Sequence, residues 1–228
     1  MVDLRIGGFA RLSTCDWPGK LAATIFCQGC PWSCPYCHNP HLIPAHGKEQ
    51  HPWADILTTL EKRRGLLDGV VFSGGEPTSQ KALLKAMQTV RAMGFNIGLH
   101  TGGPYPERLA AVLPLVDWVG FDIKAPFADY ERITGVPGSG EKASASLRHL
   151  LASGVAYELR TTVHPALLDD AAMKQIRNEL AALGAGNHVV QTFRPMGCAN
   201  EELNAAASRN DDVRITGGGA SLPSRICN

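Results

Sequence analysis

The chain has 228 residues, a length that suits one α/β domain with a substantial core. Its 22 basic side chains nearly balance 21 acidic ones, leaving a formal charge of +1, and aromatic residues are sparse; no nucleic-acid face, anionic membrane surface or base-stacking platform is expected. No apolar run reaches the roughly 18 residues of a membrane span, and Asp3 and Arg5 stand where a secretory leader is apolar, so the expected location is the cytoplasm.

Leu21 to Phe26 (LAATIF) reads as a short apolar strand, and a cysteine-rich loop follows it at once. Trp53, Ile56, Leu57 and Leu60 recur at helical spacing. Gly69 to Phe72 is a strand running into the glycine turn SGGEP, and Leu83, Leu84, Met87 and Val90 mark a helix that stops near Gly94. Asn96 to His100 is a strand, Pro106 to Leu113 a helix opened by proline, and Val116 to Phe121 a strand ending at Asp122. Ala143 to Leu151 is helical and Tyr157 to Val163 is a strand. Met173, Ile176, Leu180 and Leu183 form one face of a helix, and His188 to Phe193 is the last strand. The polar, glycine-rich tail beyond Cys198 takes no assignment, while His41 to Gly47 and Thr134 to Gly140 have the composition of surface loops.

Strand and helix alternate about six times, which predicts an α/β fold: a partial, open β/α barrel of about six parallel strands with outer helices, short of the eight that close a full barrel. It is read as a single domain over residues 1–228, with its core at 20–195 between a lead-in and a tail. In such sheets ligands sit at the C-terminal ends of the strands. The cysteine loop, SGGEP, HTGG, DIK, RTTVHP and FRPMG each follow a different strand, so all six are expected at one end.

Seven cysteines fall at 15, 27, 30, 34, 37, 198 and 227, four of them within residues 27–37. The length and the expected cytoplasmic setting do not suit a disulfide scaffold, and clustered thiols in a reducing compartment point to a metal or an iron–sulfur cluster. Cys30, Cys34 and Cys37 stand at spacing x3 then x2, and three thiolates on a cubane leave one iron open for a further ligand. Cys27 lies three positions earlier, so spacing alone also admits a four-thiolate zinc site or an electron-transfer cluster; against these, Cys27 continues the strand. Cys15, Cys198 and Cys227 read as free thiols.

Other residue types fit a site at the same end. Gly74 and Gly75 permit close backbone approach after a strand, and Glu76 supplies an anion for a cationic ligand or for fixing the turn. Asp122 and Lys124 are two apart and point the same way if extended, as a surface ion pair or as ligand contacts. Arg160 lies within a strand and needs an anionic partner, a carboxylate side chain or a ligand. His100 and Thr101 end a strand and are expected to line the cavity, while His38 follows the last loop cysteine as a sulfur neighbour or a packing residue.

Cys-x3-Cys-x2-Cys with aromatic Tyr36 before the last cysteine, together with Ser73 to Pro77 (SGGEP), resembles the signature of the radical S-adenosylmethionine (SAM) superfamily. STCDWPGK, CPYCHNP, DIK with Ile133 to Val136 (ITGV), and Arg160 with TTVHP repeat in order the elements of the glycyl-radical-enzyme activating group. Within that group the pattern is most similar to the activating proteins of anaerobic (class III) ribonucleoside-triphosphate reductase. The resemblance implies a 4Fe–4S cluster on Cys30, Cys34 and Cys37, and SAM bound near Gly74, Gly75, Glu76, Asp122 and Lys124; from their places at the same strand ends Thr101 and Arg160 are expected to reach the cofactor, Tyr36 to neighbour its adenine or pack the loop, and Arg194 to meet its adenosine side or solvent. No catalytic side chain is expected beyond cluster and cofactor. The implied reaction is reductive cleavage of SAM, followed by removal of hydrogen from a glycine Cα of the partner reductase. The electron would come from a one-electron donor such as a flavodoxin or ferredoxin. Two departures stand out: Trp17 replaces a glycine of the lead-in pattern, and His100 aligns with an acidic residue of the pyruvate formate-lyase activases, which puts any cation site there in doubt. The competing readings are a radical SAM enzyme acting on a small molecule and a non-catalytic four-thiolate zinc module.

Overall fold

The computed structural model describes residues 4–47 and 51–214, and Cys227 lies outside them. Six strands form the parallel run expected from the alternation: β2 (Ala22–Cys27), β3 (Gly69–Gly74), β4 (Asn96–Thr101), β5 (Trp118–Asp122), β6 (Ala156–Val163) and β7 (His188–Thr192). They lie side by side in chain order, so each crossover joins adjacent strands and the sheet stays open.

A seventh strand, β1 (Ile6–Ser13), pairs antiparallel with β2. Its sequence, IGGFARLS, carries no strand signal because two glycines and an arginine break its periodicity. It forms as an edge strand, where partial exposure tolerates such residues.

The helices are α1 (Trp53–Glu61), α2 (Leu83–Ala92), α3 (Pro106–Val112), α4 (Tyr130–Thr134), α5 (Ser139–Ser153), α6 (Asp170–Ala182) and α7 (Glu201–Arg214). Two expectations need correction. The surface loop expected over Thr134–Gly140 is confined to residues 135–138, largely exposed between α4 and α5: Thr134 ends α4, α5 begins at Ser139, and both residues are fully buried and bonded hydroxyl to hydroxyl at 2.7 Å. The tail beyond Cys198 also contains a helix, α7, which its polar composition concealed.

One face of the sheet, with Ile25, Val70, Phe72, Ile97, Leu99, Val119, Phe121 and Leu159, packs against Ile56, Leu83, Met87, Leu109, Leu147, Ile176 and Leu180 of the helices. Across the other face Thr24, Val71, Gly98 and Trp118 stand in register on β2 to β5. There the β1–β2 turn inserts Trp17, stacked on Trp118 with ring centroids 5.8 Å apart. A Cβ at Gly69 or Gly98 would come within 2.8 or 2.9 Å of the Trp17 ring, so both glycines make room for it. Trp17 therefore plugs the side of the sheet away from the helices, and the polar residues above it remain open.

Candidate active site

The cysteine loop leaves β2 after Cys27. That residue is fully buried in the core, as expected for a continuation of the strand, and burial drives its thiol far above the usual range. Cys30, Cys34 and Cys37 lie beyond it, each partly exposed. Backbone bonds fix the loop's course: Gly29 N–H donates to Leu42 C=O at 2.8 Å, Cys30 N–H to Ile43 C=O at 3.0 Å, and Cys37 N–H to Cys34 C=O at 3.1 Å. Trp32 anchors the middle, edge-on to Tyr130 and tight against Gly102. Ser33 N–H donates to Thr134 C=O at 3.0 Å, which explains why an ITG segment far along the chain belongs to the same site.

Among the described residues, no three His, Cys, Asp or Glu side chains are gathered closely enough to hold a metal ion between them. The chemistry of the loop nevertheless fits a cluster. Burial, with the Glu76 charge adding to it, pushes the Cys30 thiol up to about 12; burial raises Cys34 against the pull of Lys124. Such thiols ionise only with a cationic partner, and iron is one. Tyr36 is buried beside them with its hydroxyl unpartnered and the Lys124 ammonium 5.7 Å from its ring centre.

The glycine turn is a structural knot. Gly74 has φ of 110°, and a Cβ there would strike the Cys27 backbone at 2.4 Å. A Cβ at Gly75 would strike Gly29 O at 2.5 Å, and Gly75 N–H donates to Cys27 C=O at 2.9 Å. Buried Glu76 fixes the turn rather than meeting a ligand with a free charge. Its carboxylate accepts Thr78 N–H at 3.0 Å, Thr78 Oγ1 at 2.6 Å, Thr101 Oγ1 at 2.8 Å and Gly102 N–H at 3.0 Å. Burial raises its pKa and these four donors oppose the rise. Thr101 is thus buried in the knot instead of facing open space.

On the open face the strand ends share a polar chain. Arg160 Nε donates to Asp122 Oδ1 at 3.0 Å, and Lys124 Nζ to Asp122 Oδ2 at 3.1 Å. Burial would raise the Asp122 pKa, but Lys124 and Arg160 hold it well below the usual carboxylate range; burial would lower Lys124, but Asp122 holds it well above. His100 Nε2 is 2.7 Å from the Asp16 carbonyl and must donate to it, leaving Nδ1 to accept the Ser73 hydroxyl at 3.0 Å. Burial, with Arg160 Nη1 only 3.4 Å from Nε2, lowers the His100 pKa to about 4, so the ring is neutral at pH 7. The acidic residue expected in that position is replaced by a neutral donor, and two cations, Lys124 and Arg160, share the one carboxylate of Asp122. Arg194 follows β7, half-buried, with its carbonyl bound by His38.

Asp16, Trp32 and Thr134 also belong to the site. Asp16 and Thr134 lie in segments already singled out, whereas Trp32 carries no signal beyond its place between two cysteines.

A parallel α/β sheet with a three-cysteine loop after its first parallel strand and a GGE turn after its second defines the radical SAM class. The chain belongs to the radical SAM superfamily, whose family model matches residues 24–176. It is an enzyme of that family, which uses a 4Fe–4S cluster and SAM. It is 29% identical over 205 residues to a protein of Methanocaldococcus jannaschii named as a glycyl-radical enzyme activating enzyme, covering 87% of this chain and 83% of that one. Against the pyruvate formate-lyase-activating enzyme of Clostridium pasteurianum it is 28% identical over 175 residues, covering 74% and 72%. Among solved structures, SuiB of Streptococcus suis superposes with a TM-score of 0.60 at 10% identity, over 88% of this chain and 48% of that one. The enzyme anSMEcpe with bound AdoMet superposes with a TM-score of 0.55 at 14% identity, over 73% and 49%. These two likenesses concern the fold alone. No helix among the described residues is long and apolar enough to cross a membrane.

Proposed function

We propose that the protein is a glycyl-radical-enzyme activase whose cluster is held by Cys30, Cys34 and Cys37, and whose partner is the anaerobic ribonucleoside-triphosphate reductase. The observation that carries the reading is the meeting, at one end of the open sheet, of the cysteine loop, the GGE turn and the Asp122–Lys124–Arg160 chain. When bound, the reduced cluster supplies the single electron that splits SAM. Lys124 and Arg160 offer positive charge to the methionine carboxylate, Tyr36 lies beside them, and the Glu76 knot keeps the turn at the height of the loop. Trp17 and Trp118 close the floor and keep water out from below. The balance is one electron and one SAM consumed, methionine and 5′-deoxyadenosine released, and one hydrogen atom lost from a glycine Cα.

The choice of an activase over a small-molecule enzyme is supported by access. Among the described residues β7 is exposed over Val189 to Thr192, an opening that suits a loop of another protein. The choice of reductase rests on the order of motifs along the whole chain. A one-electron carrier such as a flavodoxin or ferredoxin would reduce the cluster.

The test is an anaerobic reaction of protein, reductant, SAM and reductase. It should give deoxyadenosine in equal amount to a glycyl radical seen by electron paramagnetic resonance. Turnover with a small molecule and none with any glycyl radical enzyme would overturn the activase reading. A radical on pyruvate formate-lyase and none on the reductase would overturn only the choice of partner.

A further inference from the structure

The C-terminal half of the cysteine loop is held by residues that the reaction does not use. After β7 the chain turns back across the loop as Phe193–Cys198. His38, the residue after Cys37, lays its ring on Phe193 at 5.6 Å between centroids and 17° between planes. Its Nε2 donates to the Arg194 carbonyl at 2.9 Å. Gly197, at φ of 83°, leaves no room for a side chain: a Cβ would come within 2.5 Å of the His38 carbonyl oxygen. The Cys198 thiol donates to the carbonyl of Pro35, between Cys34 and Tyr36, at 3.5 Å.

This segment is tied down in turn. Phe193 is buried edge-on against His164 at 5.0 Å. His164 Nε2 donates to the Leu203 carbonyl of α7 at 3.1 Å, and Asn204 donates to the Cys198 carbonyl at 3.0 Å. A continuous path of contacts therefore runs from α7 through His164 and Phe193 to the residue after Cys37.

We propose that Phe193–Cys198 is a strap that positions the Cys34–Cys37 half of the cluster loop, with His38, Gly197 and Cys198 as its contact points. The proposal rests on the reading that this loop carries the cluster. Three thiolates on one loop bind a cubane only if the loop holds its curvature, and the strap supplies that constraint from outside. His38 and Cys198 are positioning residues: neither is a cluster ligand.

The test compares the reconstituted holoprotein with His38→Ala, His38→Gln and Gly197→Ala. Outer residues of this kind change metal retention by roughly 10–100-fold, so His38→Ala and Gly197→Ala should release iron to a chelator about tenfold faster than the parent. They should also shift the cluster's reduction potential; in the apo chain His38→Ala should move thermal melting little, whereas Gly197→Ala, strained at its positive φ, should lower it. In the apo chain, amides of residues 30–38 should exchange hydrogen faster in both variants. His38→Gln, which can still donate to the Arg194 carbonyl but cannot stack, should fall between parent and His38→Ala. Release rates and potentials unchanged in both disruptive variants, with the parent holding its cluster, would overturn the strap alone. A parent that assembles no 4Fe–4S cluster would overturn the cluster reading and the strap with it.

Discussion

His100 sits where burial and a neighbouring guanidinium both oppose a positive charge, and this has a measurable consequence for the apo chain. Its folded pKa, about 4, is below the ordinary value of 6.5, so between these two the unfolded chain takes up a proton that the folded chain refuses. Stability should therefore fall as pH drops from 7.5 to 5, by about 2 kcal/mol from this group. His100→Gln should remove that part of the slope in denaturant unfolding at the two pH values; an unchanged slope would show that His100 does not cause it. Glu76→Gln should cost about 1–3 kcal/mol in the same measurement, because an amide nitrogen replaces one accepting oxygen in a knot of four donors. Replacing Cys30, Cys34 or Cys37 by alanine should abolish the cluster absorbance and iron content. Cys27→Ala should keep both and lose about 1 kcal/mol of stability from the core. Iron loss in Cys27→Ala equal to that of the other three would return the four-thiolate reading.

At the scale of elements, the glycine turn and the cysteine loop are one unit. A glycine that only made room for SAM would allow Gly75→Val to weaken SAM binding without touching the cluster. The position of Gly29 and Leu42 against Gly75 changes that expectation: the new side chain meets backbone belonging to the cluster loop. Gly75→Val should lose iron together with SAM affinity, measured by iron assay and equilibrium binding; intact iron with weakened SAM binding would separate the two functions again. The parallel strands were legible because apolar, β-branched runs end at abrupt polar turns. β1 was not, since its glycines hide an edge strand, and α7 was not, since few of its residues are apolar. The cysteine spacing and the GGE turn were legible because chemistry fixes residue types there. The grips on the loop by Trp32, Thr134 and His38 depend on distant partners, and one-dimensional periodicity carries no trace of them.

For the whole molecule, strands laid down in chain order make each crossover local and leave all loops of one kind at one end. Six loops gather at the end that carries the candidate site, and the opposite end is free to be filled. Trp17 fills it on the open face. Trp17→Ala should cost about 3–5 kcal/mol, and Gly98→Ala, which drives a methyl into Trp17 and Val71, about 1–3 kcal/mol. The two should be strongly non-additive: in a Trp17→Ala background the Gly98→Ala penalty should shrink, as measured by a double-mutant unfolding cycle. Full additivity would mean that the close approach at Gly98 is relieved elsewhere.

That packing also decides how freely the three positions can be exchanged. A Cβ at position 69 would meet the Asn96 carbonyl oxygen at 2.8 Å, and one at position 98 the Val71 side chain at 2.9 Å, so the sheet itself asks for glycine there and the indole occupies room that the sheet already keeps. The tolerance is therefore one-sided: position 17 can take a smaller residue while both glycines stay, whereas a side chain at either glycine is opposed with or without the tryptophan.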